Sequence, residues 1–390
     1  MTKGAKLFWG LVILAVIIVV AAVSRAPRSG PSVKELPEGP IKIGFVAPLT
    51  GDGAAYGIPI QRAAELALAD INQNGGIGKR QLEVVWEDGK CDPKDATAAA
   101  QKLINIDRVS AIFGGVCSSE TLAMAPLAEA AKVLVVSPSS TSPDLTAAGE
   151  FIFRTAPSDA AAGAIAAKYA YDKMGSRKAA VISETKDYTQ GLRQVFTAKF
   201  KELGGEVVAD ETFNTGDTDF RTQILKIKNA TPDVIYLLPQ TPTPGVLLLQ
   251  QLTSNGVEAK RLTAEVLLVR SVVDENKAQM EGLIGIEQYF DEQNELWQGF
   301  IAAYKTRYSE DPPFPSYQAN TYSQFYLLKE AVEKVGLNTE KIRDYFLGLK
   351  DWKHTLGTIT FDSNGDPVGL PYSIKTIAEG ELQELEVFRP

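Results

Sequence analysis

Histidine is all but absent from this chain. His354 is the only one in 390 residues, and cysteine occurs only at Cys91 and Cys117. Metal sites built from His and Cys need several such ligands in one cluster, so no metal is expected. A Ser-His-Asp triad or a Cys-His pair needs an imidazole beside its nucleophile, and one histidine argues against both. Basic residues are also in deficit: 40 Lys and Arg against 48 Asp and Glu leave a net charge of −8. No basic stripe interleaved with aromatics is present, so a nucleic-acid backbone would find no electrostatic footprint. Carboxylates are plentiful, but none is paired at a spacing that suggests glycosidase chemistry. No internal repeat is detectable.

What is present suits a globular protein, with 45% hydrophobic and 23% charged residues. A chain of 390 residues exceeds what one core usually serves, so two domains are the prior. Thr2-Lys3-Gly4-Ala5-Lys6 is basic, Leu7 to Val23 is almost unbroken apolar sequence, and Arg25-Ala26-Pro27-Arg28 follows. This is the layout of an export signal. As a helix the run would measure roughly 25 Å against a bilayer core of roughly 30 Å, which fits a cleaved signal or a retained anchor. Retention is slightly favoured, since no clean small-x-small site precedes the Pro/Arg segment and no Cys follows for lipid attachment. Ser24 to Pro40 reads as a linker. Export permits a disulfide. Cys91 and Cys117 are thus either free buried thiols or a bridge worth roughly 3 to 4 kcal/mol on the entropic account.

Beyond the linker, strand and helix patterns alternate. Ile41 to Pro48 reads as a strand, Ile60 to Ile71 as a helix ending at Asn74-Gly75-Gly76, Leu82 to Trp86 as a strand and Ala96 to Ile106 as a helix opened by Pro93. Strands Ala111 to Gly114 and Val133 to Val136 flank another helix. The alternation then restarts: Asp159 to Met174 is helical, Ala179 to Ser183 extended, Tyr188 to Leu203 helical, Val207 to Phe213 extended, Phe220 to Asn229 helical, Val234 to Leu238 extended and Pro244 to Asn255 helical. Leu283 to Tyr289 reads as a strand or crossover, with helices over Glu295 to Tyr308, Tyr317 to Val335 and Ile342 to Leu349. Leu356 to Phe361, Tyr372 to Ile377 and Leu382 to Phe388 read as hairpin strands. The fold class is therefore α/β, with βαβ units and parallel sheet in two similar halves. Asp362, Asn364 and Asp366 have calcium-loop spacing but lack the expected Gly and distant Glu, so they read as a turn.

Two strand ends stop in hydroxyl-rich turns: Gly115-Val116-Cys117-Ser118-Ser119-Glu120, and Ser137 through Pro143. Ligands in open α/β sheets sit outside the carboxyl ends of strands, where a helix N-terminus offers free N–H groups. Ser118 and Thr141 thus form two fingers of an anion clamp; read as plain structure, Ser118 or Ser119 caps the helix and the second turn is a Ser/Pro loop. A dinucleotide motif competes. Gly51-x-Gly53-x-x-x-Gly57 follows a strand and opens a helix, with Glu87 or Asp88 where a ribose-binding acid would stand. Its spacing is one residue too long, and Tyr56 fills the turn that should admit a pyrophosphate.

Together these segments resemble the periplasmic substrate-binding proteins of the leucine/isoleucine/valine type that feed ABC importers. The resemblance spans Ile41 to Phe388. It is carried by Ile43-Gly44-Phe45 to Thr50-Gly51, Tyr56-Gly57, Ala69-Asp70-Ile71-Asn72 to Gly75-Gly76, Asp88 to Cys91-Asp92-Pro93, Gly114 to Ser119, and Ser137-Pro138 to Pro143. It implies two Rossmann-like lobes of the type I periplasmic binding fold, joined by three crossovers, with ligand in the interlobe cleft. Residues 1–40 would then be the signal or anchor and linker, 41–158 with 289–360 the first lobe, and 159–288 with 361–390 the second. It also implies a Cys91–Cys117 disulfide. By motif position Ser118, Thr141 and the backbone at Ser139 resemble the carboxylate clamp, with Tyr56 on the same wall. Tyr188 is similar to the aromatic closing residue, and Glu265 to the acid that receives the α-ammonium. The chain departs from the pattern at Pro239-Gln240-Thr241, at Val266-Leu267-Leu268 and at Thr189, which alters the side-chain end of the pocket and makes Gln240 part of it.

The resulting expectation is a non-catalytic extracytoplasmic receptor, without cofactor, that binds a branched-chain or similar apolar amino acid by hinge closure. It would be a monomer that delivers ligand to an ABC permease and would not bind nucleic acid. A sensor tethered by Leu7 to Val23, for an amino acid, amide or other small carboxylate, is the alternative; a nucleotide-dependent enzyme is a third reading.

Overall fold

A computed structural model of the protein describes residues 39–389. The apolar run Leu7 to Val23 lies outside the described residues, and among these no helix is long and apolar enough to cross a membrane.

The first half alternates strand and helix. Its elements are β1 (Ile41–Ala47), α1 (Ala54–Gln73), β2 (Leu82–Asp88), α2 (Pro93–Lys102), β3 (Ala111–Gly114), α3 (Ser118–Ala131), β4 (Leu134–Ser137) and β5 (Ile152–Arg154). They form a five-stranded parallel sheet in the order β2-β1-β3-β4-β5. Six of the seven β1 residues are buried, as a parallel strand covered on both faces requires.

The second half repeats the scheme with α4 (Asp159–Lys168), β6 (Lys178–Glu184), α5 (Asp187–Glu202), β7 (Glu206–Phe213), α6 (Arg221–Ala230), β8 (Val234–Leu238), α7 (Pro242–Ser254), β9 (Lys260–Ala264), α8 (Arg270–Glu275), α9 (Lys277–Met280) and β10 (Ile284–Gln288). The chain then returns to the first lobe for α10 (Glu295–Tyr308), α11 (Pro315–Val335), α12 (Thr339–Gly348) and the small hairpin β11 (Trp352–His354) and β12 (Gly357–Ile359). It finishes in the second with the antiparallel strands β13 (Tyr372–Ala378) and β14 (Glu381–Phe388). The second sheet has seven strands in the order β14-β13-β10-β9-β8-β6-β7. The chain thus crosses between lobes three times, at 155–158, 289–294 and 360–371.

α11 covers the first sheet. Phe325 packs edge-on against Phe113 at 5.0 Å between ring centroids, and Gln318 Nε2 donates to the Pro59 carbonyl of α1 at 3.1 Å. In the second lobe Phe196 of α5 lies 4.5 Å from Tyr236 of β8.

Several elements differ from the sequence expectation. The helices expected over Ala96 to Ile106 and Asp159 to Met174 end in π-helical turns, Leu103–Asp107 and Tyr169–Lys173. β5 and β9 have no counterpart in the sequence reading, and β12 is shorter than the strand expected over Leu356 to Phe361. β5 has only three residues, and β9 (KRLTA) begins with two charged ones, so neither shows a periodic pattern.

Candidate functional site

The hydroxyl-rich turns sit at the carboxyl ends of β3 and β4 and are built around buried polar contacts. Cys91 and Cys117 are disulfide-bonded, with their Cα atoms 5.3 Å apart. Beneath them Glu120 is fully buried and accepts from the N–H groups of Cys117 at 2.9 Å and Cys91 at 3.0 Å. Burial pushes its carboxyl up to about 7, against the pull of those N–H donors. Ser119 Oγ donates to the Cys91 carbonyl at 3.2 Å. The N-cap of α3 is therefore Cys117, with Glu120 reaching back to its N–H, and Ser118 is free of the capping role.

The second turn is sewn onto the first. Ser137 Oγ and Ser140 Oγ donate to the Gly115 carbonyl at 2.7 and 2.9 Å, and Ser139 Oγ donates to the Val116 carbonyl at 2.8 Å. The Ser142 N–H donates to Ser118 Oγ at 3.1 Å. Gly114, at φ 97°, allows the start of the first turn to lie close against β1: a Cβ there would lie 2.0 Å from the Val46 carbonyl oxygen.

Six of the residues singled out from sequence line one interlobe pocket: Tyr56, Ser118, Ser139, Tyr188, Gln240 and Glu265, joined by Val116, Cys117, Val266 and Tyr317. Thr141 lines an adjoining pocket that shares Glu265 and Tyr317 with the first and adds Asp159, Gln288 and Tyr372. The hydroxyls of Tyr56 and Thr141 are buried without a partner, as is Oδ2 of Asp159. Tyr56 packs against Phe314 at 4.2 Å between centroids, with the rings tilted by 43°. Gln240 comes from the loop between β8 and α7, and its N–H donates to Glu184 Oε2 at 2.9 Å.

Glu265 follows β9 directly. Its Oε1 accepts from the phenol of Tyr188 at 2.9 Å and from that of Tyr317, so one carboxylate is held by both lobes. Its carboxyl is withdrawn from water, which raises its pKa, while the two phenols oppose the rise. Asp159, at the start of α4, is raised well above the ordinary range by burial and then by the charge of Glu265; Arg154 works in the other direction. Such an arrangement is poised for a cation. Opposite it, hydroxyls and helix N–H groups suit an anion.

Tyr317 and Asp159 were not found from sequence. Tyr317 sits just past Pro312-Pro313-Phe314-Pro315, a stiff lead into a helix, which is the one local signal it has. Asp159 follows Ser158, whose side chain caps α4, and so reads as an ordinary first-turn acid.

The glycines of the dinucleotide-like motif have a packing reason. A Cβ at Gly57 would stand 1.8 Å from the Pro48 carbonyl oxygen, and one at Gly53 would stand 2.7 Å from Pro48 Cβ. Asp88 accepts from the Leu49 N–H at 2.8 Å and from the Thr50 hydroxyl, and Glu87 pairs with Lys102. Both acids are thus engaged in holding loops and helices. The Asp362 to Asp366 stretch is a turn in which Asp362 Oδ1 accepts from the N–H groups of Asn364 and Asp366 at 2.8 and 3.0 Å. Among the described residues no cluster of His, Cys, Asp or Glu could hold a metal ion.

Two α/β lobes with a polar cleft between their strand ends define a type I binding protein. Residues 40–380 match the periplasmic binding protein family, and this chain belongs to it. It is 31% identical over 340 residues to the leucine-, isoleucine-, valine-, threonine-, and alanine-binding protein of Pseudomonas aeruginosa, covering 86% of this chain and 89% of that protein. Among solved structures it resembles a leucine binding protein from Thermotoga maritima, with TM-score 0.82, 28% identity and coverage of 90% of this chain and 99% of that one. It also resembles a branched-chain amino acid transporter substrate binding protein from Streptococcus pneumoniae in complex with isoleucine, with TM-score 0.80, 29% identity and coverage of 90% and 100%. The family is one of extracytoplasmic binding and transport proteins.

Proposed function

We propose that this protein is the substrate-binding component of an ABC importer and captures a branched-chain or similar apolar amino acid by closure of its two lobes. One observation carries the reading: an interlobe cavity sets hydroxyls and a helix N-terminus against a carboxylate gripped by phenols from both lobes. The α-carboxylate would be received by Ser118, the Ser139 backbone and Thr141. The α-ammonium would meet Glu265, with Asp159 close behind, and Tyr188 would close over the ligand. Tyr56, Gln240, Val116 and Val266 would surround the side chain. In this reading the lobes are 41–158 with 289–360, and 159–288 with 361–390. Residues 1–40 export the protein or tether it outside the cytoplasm, and the receptor acts as a monomer, performs no catalysis and hands its ligand to a membrane permease. A cleaved native N-terminus would rule out the tether.

The test is a thermal-shift panel of amino acids, amides and nucleotides on protein unfolded and refolded to strip carried ligand, followed by calorimetry. Ligand at a hundredfold excess over its dissociation constant stabilises the folded state by about 2.7 kcal/mol. A shift with leucine, isoleucine or valine is expected. Glu265→Ala, which would leave the ammonium buried and unpaired, should weaken binding by roughly 3 to 5 kcal/mol. Silence from every amino acid would overturn the assignment.

A further inference from the structure

Arg154, the last residue of β5, is 2% exposed and spends its guanidinium on three different groups. Nε and Nη2 donate to the two carboxylate oxygens of Asp366 at 2.6 and 2.7 Å, Nη1 to the Ser142 carbonyl at 2.7 Å, and Nη2 also to Thr146 Oγ1 at 3.0 Å. Thr146 Oγ1 completes the ring by donating to Asp366 Oδ2 at 2.7 Å.

The Ser142 main chain is therefore gripped on both sides, through the peptide before it and the peptide after it. Its N–H goes to Ser118 Oγ and its carbonyl to Arg154. Asp366 belongs to the third interlobe connection, in the turn that Asp362 closes. That turn, which in sequence mimics a calcium loop, delivers a carboxylate to a guanidinium 212 positions away in sequence.

We propose that Arg154 and Asp366 are positioning residues for the carboxylate end of the ligand site, tying the Ser139 to Ser142 turn to a segment that joins the lobes. The inference rests on the reading of Ser118, Ser139 and Thr141 as the carboxylate clamp. A buried ion pair is weak grounds for a purely stabilising role, because well-packed apolar residues often replace one without loss. What apolar residues could not supply is a planar fork that holds one carboxylate and one chosen carbonyl at once, and lysine could not reproduce that geometry. The clamp turn is thereby set in place before ligand arrives.

The experiment uses Asp366→Asn, Arg154→Lys and Thr146→Val in the full exported chain, with leucine affinity measured by calorimetry at a temperature where circular dichroism shows each variant fully folded. Asp366→Asn and Arg154→Lys are expected to weaken leucine by about tenfold, a change of 1.4 kcal/mol. Thr146→Val, which keeps the ion pair and removes only the hydroxyl bridge, is expected to weaken it by about threefold. A double-mutant cycle separates positioning from general destabilisation. Asp366→Asn should be non-additive with Ser118→Ala, at the clamp, and additive with Glu265→Gln, at the ammonium end. A merely structural pair would lower the melting temperature, leave leucine affinity in the folded protein unchanged and show no such selectivity, which would overturn the inference while the proposed function stood. Should Asp366→Asn fail to fold, unchanged affinity in Thr146→Val would overturn it equally. Wild-type protein blind to every amino acid would overturn the functional reading, and this inference with it.

Discussion

Gly191 of α5 lies against Pro143 of the clamp turn across the interlobe cleft, so closely that a Cβ at Gly191 would stand 2.6 Å from Pro143 Cδ. The proline ring cannot swing aside, and a side chain at this position would hold the lobes apart. Glycine inside a helix costs about 1 kcal/mol relative to alanine, so its presence here trades helix stability for close approach. Gly191→Ala is therefore expected to move two observables in opposite senses. Ligand-free thermal stability should not fall, while leucine affinity should weaken by about tenfold. Calorimetry and a melting curve on the same sample check this, and unchanged affinity would show that the contact does not gate closure.

Glu265 and Asp159 share one desolvated region, and both are raised, Glu265 by burial and Asp159 by burial and then by Glu265. The groups around them are the phenols of Tyr56, Tyr188, Tyr317, Tyr372 and Tyr236, the carboxylate of Glu287 and the guanidinium of Arg154. A bound ammonium favours the ionised carboxylates, so binding should release protons and affinity should rise with pH until both are ionised. Titration in buffers of different ionisation enthalpy reads the released protons directly. Glu265→Gln should reduce the release along with the affinity.

Two further buried groups give stability a pH dependence of opposite sign. Glu120 is raised from 4.5 to about 7, so the folded chain holds its proton more tightly than the unfolded one. Its stabilising contribution is complete below about 4.5 and is lost as pH rises through about 7. His354, 2% exposed, is lowered from 6.5 to about 4 by burial. Its contribution is present above 6.5 and is lost as pH falls through about 4. Glu120→Gln should thus remove a downward slope between about 4.5 and 7, and lose roughly 1 kcal/mol with one of its two N–H contacts. Urea melts of both proteins at pH 5 and pH 7.5 decide it; identical slopes would mean that Glu120 is already ionised in the fold.

Reducing the Cys91–Cys117 bridge, or replacing both cysteines with alanine, should lower stability by roughly 3 to 4 kcal/mol on the entropic account. The loss should extend to the ligand, because the Lys186 ammonium of the second lobe donates to the Cys91 carbonyl at 3.3 Å and Cys117 leads into Ser118. Melting temperatures with and without reductant, at saturating and at zero leucine, separate the two effects. A reduced protein with unaltered affinity would confine the bridge to stability.

Local pattern alone made most of the strand and helix alternation legible, because hydrophobic period and turn chemistry act over a few residues. The same locality exposed the Ser118 and Thr141 turns: hydroxyls at the ends of apolar strands stand out against what surrounds them. β9 was invisible for the complementary reason. Lys260-Arg261-Leu262-Thr263-Ala264 becomes a strand only because β8 and β10 flank it. Which distant residues share the site was likewise a tertiary decision. Tyr317 meets Glu265 across the cleft from a helix 52 positions downstream, and Asp366 reaches Arg154 across 212. The chain by itself determined the elements and the chemistry each strand end could offer. The packing of two sheets, through three crossovers that no local pattern encodes, decided which of those ends face one another and turned scattered hydroxyls, phenols and carboxylates into one cleft.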